Sequence, residues 1–164
     1  MSEQYEIYPI ELGKMNFGIN EAFDFKNHQV DPIYLSNSLM MTVHSVPGRT
    51  GLSAPQVNIP LDVIYVYGFP TAMFNPKIVD RSEGTSYLEE VSCTFPKLVL
   101  KIKRPDVIRV RWTNCIGETE TNVYSGLTAR IIQRKIDFLE GVMPQARATK
   151  FHREQAFKHM IKPL

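Results

Sequence analysis

Three short segments hold the residue types that chemistry would need: TGLSAPQV at 50–57, EVSCTFP at 90–96 and QRKIDFLEG at 133–141. The last lies within ARIIQRKIDFLEGV (129–142), which has the rhythm of a helix carrying a metal site, with Gln133, Asp137 and Leu139 in place but no histidine. The four histidines of the chain, His28, His44, His152 and His159, form no i, i+4 pair and do not converge, so each is expected to be a surface or capping residue rather than a ligand. Ser92 has no identifiable base that would make it a nucleophile. Cys93 and Cys115 could form at most one bridge, no disulfide framework for a chain of this length, and reduced thiols are expected.

Taken together and in order, the three segments resemble the motifs of the peptide deformylase family, G-x-G-L-A-A-P-Q, E-G-C-L-S-x-P and Q-H-E-x-D-H-L-x-G. Gly51, Leu52, Ala54, Pro55 and Gln56 fit the first, Glu90, Phe95 and Pro96 the second, and Gln133, Asp137, Leu139 and Gly141 the third. The resemblance covers residues 32–142. It implies removal of the formyl group from the N-terminal methionine of a new polypeptide, with a divalent metal held by one Cys of the second motif and two His of the third. Two residues four apart share a helix face, so both imidazoles reach one ion while the thiolate arrives from a strand. The resemblance further implies a Glu as general base on metal-bound water and the first-motif Gln as a donor to the oxyanion.

Carried over position by position, the Cys falls on Ser92, the two His on Arg134 and Phe138, and the Glu base on Lys135. Arg134 cannot deprotonate to bind a cation, Phe138 has no ligand atom, and Lys135 adds positive charge. Cys93 lies one residue from the thiolate position and, in a strand, points to the opposite face unless a bulge re-aims it. Neither catalytic residues, nor a bound metal, nor any other cofactor is therefore expected at Gln56, Ser92, Cys93, Arg134, Lys135 and Phe138. Arg134 is expected to pair with Glu90 or Asp137 in place of the metal, with Phe138 filling the space of an imidazole. Gly51, Gln56 and Glu90 outline a vestigial peptide groove; alternatively Gly51 serves a backbone turn and Gln56 bonds buried main chain.

The elements that position these residues follow from periodicity. Asp31 and Pro32 open a helix over 32–45, with Ile33, Leu35, Leu39, Met40 and Val43 at helical spacing before Pro47-Gly48. Short β-rich runs occupy 61–125. In LVLKIK and VIRVRW, apolar residues alternate with Lys101, Lys103, Arg109 and Arg111, the pattern of half-buried strands with a basic outer face, and Pro105 marks a turn or sheet edge. A second helix runs from Ser125 or Gly126 to Glu140, with Leu127, Ile131, Ile132, Ile136 and Leu139 on its apolar face and Gly141 as a left-handed cap. A short helix is expected within 150–161. The fold class is α+β, deformylase-like, with antiparallel sheets around a central helix. The domain reading is an irregular arm at 1–30, the main domain at 31–146 and a tail at 147–164.

Bulk properties set the remaining expectations. With 164 residues and 43% hydrophobic content the chain can bury one core, and a net charge of +2 gives no whole-molecule affinity for nucleic acid or membrane. Nucleic acid could be met only through Lys101, Lys103, Arg109 and Arg111. The N-terminal residues lack a signal-peptide pattern and no apolar run spans a membrane, so a cytoplasmic protein, or one within an assembly made there, is expected. FNPKIV and KIKRP are similar to phage-encoded deformylases. The resulting expectation is a catalytically inactive structural or binding component, with other proteins of a virion tail or baseplate as partners. The alternatives are an active metal-dependent deformylase with substituted ligands, or an inert binder of nascent peptide or RNA.

Overall fold

The computed structural model describes residues 2–7, 20–91 and 97–161. Helix α1 (Pro32–His44) starts where the sequence places it: the Asp31 carboxylate accepts the Tyr34 N–H at 2.9 Å, and Pro32 supplies the helical φ of the first turn. Leu35, Leu39 and Val43 are fully buried, whereas Ile33 is 48% exposed. Two residues before Leu35 is about 200° around a helix, so Ile33 faces away from the core.

Seven strands follow: β1 (Gly51–Ser53), β2 (Val63–Val66), β3 (Met73–Arg81), β4 (Thr85–Val91), β5 (Val99–Pro105), β6 (Val107–Thr113) and β7 (Thr119–Ser125). A 3-10 turn, Ala54–Val57, links β1 to the loop before β2. One antiparallel sheet has the order β1-β2-β3-β6-β7, and β4 pairs with β5 in a separate two-stranded sheet. Helix α2 (Gly126–Glu140) packs Ala129, Ile132, Ile136 and Leu139 against Ile64, Val66, Met73, Ile108, Val110 and Trp112 of the larger sheet. Its C-terminus is closed by Gly141 at φ 74°, with the Val142 N–H donating to Asp137 O at 2.8 Å, the left-handed cap expected from the sequence. Leu127, assigned to the apolar face, is 64% exposed, lying about 200° around the helix from the fully buried Ala129. After α3 (Pro144–Arg147), helix α4 (Lys150–Ile161) lays Ala156, Phe157 and Met160 against Leu98, just before β5, and Leu100 and Ile102 of β5. This is the α+β architecture expected, antiparallel sheets packed around one central helix.

Residues before α1 join the core. Glu3 and Tyr5 donate backbone N–H groups to Ser38 Oγ and Thr42 Oγ1 of α1 at 3.1 and 2.8 Å. Phe23 is buried, its N–H donating to Asn75 Oδ1 at 2.7 Å while Asn75 Nδ2 donates back to Phe23 O at 2.9 Å. Lys101, Lys103, Arg109 and Arg111 are exposed as their alternation requires, but the lysines lie on β5 and the arginines on β6, in different sheets. No helix among the described residues is long and apolar enough to cross a membrane.

Candidate functional site

The polar centre of the molecule is an ion network between α2 and the β4–β5 sheet. Glu90, on the inner face of β4, accepts a fork from Arg104 of β5, Nε at 2.7 Å and Nη2 at 2.9 Å, and a third bond from Arg130 Nη2 of α2 at 3.0 Å. Arg104 Nη1 donates onward to Asp137 Oδ2 at 2.8 Å, and Arg147 donates to both Asp137 oxygens, at 2.7 and 3.2 Å. Burial alone would raise the Glu90 carboxyl, but the hydrogen bonds and charge of Arg104, with the charges of Arg134 and Arg130, outweigh it and hold the group below the ordinary carboxylate value. Arg104, with two carboxylates, is held more firmly protonated than usual, while burial and the neighbouring Arg104 charge depress Arg130.

This arrangement corrects the expected pairing of Arg134. Both carboxylates are occupied by Arg104, Arg130 and Arg147, and Arg134 Nη2 donates to the backbone carbonyl of Val91 at the end of β4. The sequence reading passed over Arg104 although its position announced it. It continues the inward phase of Leu100 and Ile102, so an alternating strand must bury it, and a buried arginine requires carboxylates. Arg130 also carried a signal, standing seven residues before Asp137 and thus on the same helix face. Arg147 lies outside every motif.

The first-motif residues converge beside Lys135 of α2. Gln56 Oε1 accepts from the Ser53 N–H at 2.9 Å, from Ser53 Oγ at 3.0 Å and from Lys135 Nζ at 3.3 Å. A backbone N–H can only donate, so the carboxamide oxygen is fixed on that side and the Nε2 amide becomes its donor end. Lys135 is buried and its ammonium lies 4.9 Å from the centroid of the Phe138 ring, which is itself enclosed. Gly51 is required by close approach: a Cβ there would stand 2.9 Å from Tyr65 O, 3.3 Å from Ile131 Cγ2 and 3.4 Å from Lys135 Cε. Gln133 is structural, its Nε2 donating to Pro105 O and Ala129 O, both at 3.1 Å. Ser92 and Cys93, with Phe95 and Pro96, lie outside the described residues.

Arg134 and Lys135 are cations held by oxygen acceptors, Phe138 offers no lone pair, and among the described residues no group of three His, Cys, Asp or Glu side chains is placed to hold a metal. These residues do not fit the metal that the resemblance implies, and no chemical step is derived through one.

The polypeptide deformylase family model matches residues 20–154. The chain is 31% identical over 135 residues to a peptide deformylase of Afipia carboxidovorans, covering 78% of each chain. It is 31% identical over 144 residues to a peptide deformylase of Synechocystis, covering 79% of this chain and 76% of that one. Among solved structures, the peptide deformylase of Thermotoga maritima superposes with a TM-score of 0.77 at 26% identity, over 90% of this chain and 99% of that one. That of Plasmodium falciparum, in complex with an inhibitor, gives 0.77 at 23% identity over 94% and 96%, a likeness of fold. These matches overturn the expectation of an inactive structural component of a phage tail or baseplate. The similarity extends through all three motif regions to proteins named for the enzyme, and it favours the alternative, a working deformylase.

Proposed function

The chain belongs to the polypeptide deformylase family, and from that membership we propose that it hydrolyses the formyl group from the N-termini of polypeptides. The observation that supports this most directly is the setting of Gln56. Ser53 and Lys135 fix the carboxamide oxygen, which orients the Nε2 amide as a donor before substrate arrives. When water adds to the formyl carbon, charge develops on the carbonyl oxygen, and a preorganised donor at that point lowers the barrier. The nearby Lys135 ammonium adds a favourable field to the same developing charge. Oxyanion donation and substrate binding without an activated nucleophile give rates about 10³–10⁴ above water, so slow turnover is expected.

Release of formate from a formyl-methionyl peptide, followed by a coupled formate assay, tests this. Turnover above the uncatalysed rate is expected, unchanged by chelator because Arg134, Lys135 and Phe138 offer no ligands for a dication and no group of three ligating side chains is placed for one among the described residues. Gln56→Ala should lower it by about 10²-fold, the usual loss of one oxyanion donor. A formate yield equal to that of buffer alone would refute the proposal.

A further inference from the structure

We propose that the outer edge of β7 is a self-association surface, on which a second copy of this chain pairs its own β7 antiparallel about a two-fold axis at Asn122. β7 is the last strand of the larger sheet, and among the described residues no strand pairs with its outer edge. Its ladder to β6 runs over all seven residues without a bulge. The phase of that ladder is fixed at both ends: the Asn114 N–H donates to Glu118 O at 2.8 Å and the Gly126 N–H to Asp106 O at 3.3 Å. Antiparallel pairs alternate between those that exchange hydrogen bonds and those that do not, so Glu120, Asn122 and Tyr124 turn their backbone groups to β6. Thr119, Thr121, Val123 and Ser125 turn theirs to the open edge.

Edges of this kind ordinarily carry guards: a charged side chain, a proline, a bulge or a very short strand discourages pairing with another chain. The other described sheet edges have them. β1 is three residues long, β4 carries Glu89 and Glu90, and β5 carries Lys101, Lys103, Arg104 and Pro105. β7 has no proline, lysine or arginine, and its one charged residue is Glu120.

The sequence of β7 also selects the occupant. With Asn122 on the axis, Thr119 pairs with Ser125 of the second copy and Thr121 with its Val123, so every open backbone group on the strand meets a complementary one. Small and β-branched side chains then stand opposite one another on the outer face, and Glu120 faces Tyr124 on the inner. No like charges are opposed. The two copies of Glu120 lie four residues apart along the seam, roughly 14 Å, beyond the screening length in physiological salt. Arg109 and Arg111 of β6 stand three strand spacings from their counterparts, again roughly 14 Å. At each end of the seam the β6–β7 turn of one copy, carrying the exposed Ile116, comes beside the first turn of α2 in the other, carrying the exposed Leu127. Pairing thus covers Ile116, Val123 and Leu127, which the single chain leaves in water. The seam uses up the edge in both copies, so association closes at a dimer.

The inference goes beyond deformylation and does not rest on it. The test is sedimentation equilibrium of the full chain from micromolar to millimolar concentration, where the mass should rise from that of one chain to that of two and stop there. Thr121→Lys combined with Val123→Lys sets lysine opposite lysine at both central pairs and should weaken association about a hundredfold or more. Thr121→Lys combined with Val123→Glu sets opposite charges across the same pairs and should associate within about tenfold of the native chain. Both positions are exposed, and thermal melts verify that the two variants are folded. The mass of a single chain at every concentration overturns the proposal and leaves the edge to an extended segment of another protein. Association unchanged by the two lysines also overturns it, by placing the contact elsewhere. So does association lost equally in both variants, since a two-fold seam in this register must tolerate the second.

Discussion

At the residue scale, Glu90 connects the strands to the helix. Its carboxylate receives three hydrogen bonds from two buried guanidinium groups, and removing it would leave Arg104 and Arg130 facing each other in a poorly solvated space. Loss of one partner from a buried ion pair costs about 3–5 kcal/mol, so Glu90→Ala should lower the unfolding free energy by that amount in a urea titration. The same group sets an acid dependence. Its carboxyl is held below the ordinary value of 4.5, so it contributes stability that is fully present above that value and is lost as pH falls through the lower folded-state value. Thermal midpoints of the native chain should therefore fall on acidification below about pH 4.5, with a shallower fall in Glu90→Gln. At this scale the sequence disclosed Gly51, Gln56 and Glu90 through motif order. It did not disclose the partner of Glu90, because the expectation assigned the pair to Arg134 and overlooked that strand alternation buries Arg104.

At the element scale, α2 can lie close over β1 only because position 51 has no side chain. A methyl group there would meet Tyr65 O at 2.9 Å, a backbone atom that cannot swing aside, and would press on Ile131 and Lys135. Gly51→Ala should cost about 1–3 kcal/mol by overpacking and should displace Lys135 from Gln56, which formate release would register as a lower rate. Helices α1 and α2 were legible because capping residues and apolar spacing agree on them, whereas the apolar residues of α4 line up only in part. Ile33 and Leu127 were misplaced because each lies two residues, about 200° around its helix, from a fully buried residue, Leu35 and Ala129, and so faces outward. The pairing of β3 with β6, across the intervening β4–β5 hairpin, had no local signature, since alternation tells which face of a strand is buried and not which strand lies beside it.

At the scale of the whole molecule, two facts must be held together. The chain matches deformylases from residue 20 to 154 and shares their fold, while Arg134, Lys135 and Phe138 occupy positions where the resemblance requires metal chemistry. The expectation of an inert assembly component treated the missing ligands as a missing function. The substitutions speak to the metal; the oriented Gln56 and the close-packed Gly51 are the residues the proposed function draws on, and both keep their family-motif identity. The proposed deformylation through oxyanion donation reconciles the two, at a modest rate. The most direct test is formate release from a formyl-methionyl peptide by purified chain, measured in parallel with chelator and with added iron, nickel or zinc. Slow release that is equal under all these conditions is the outcome this account predicts. Release that appears only when a metal is supplied, or no release above the buffer rate, would contradict it.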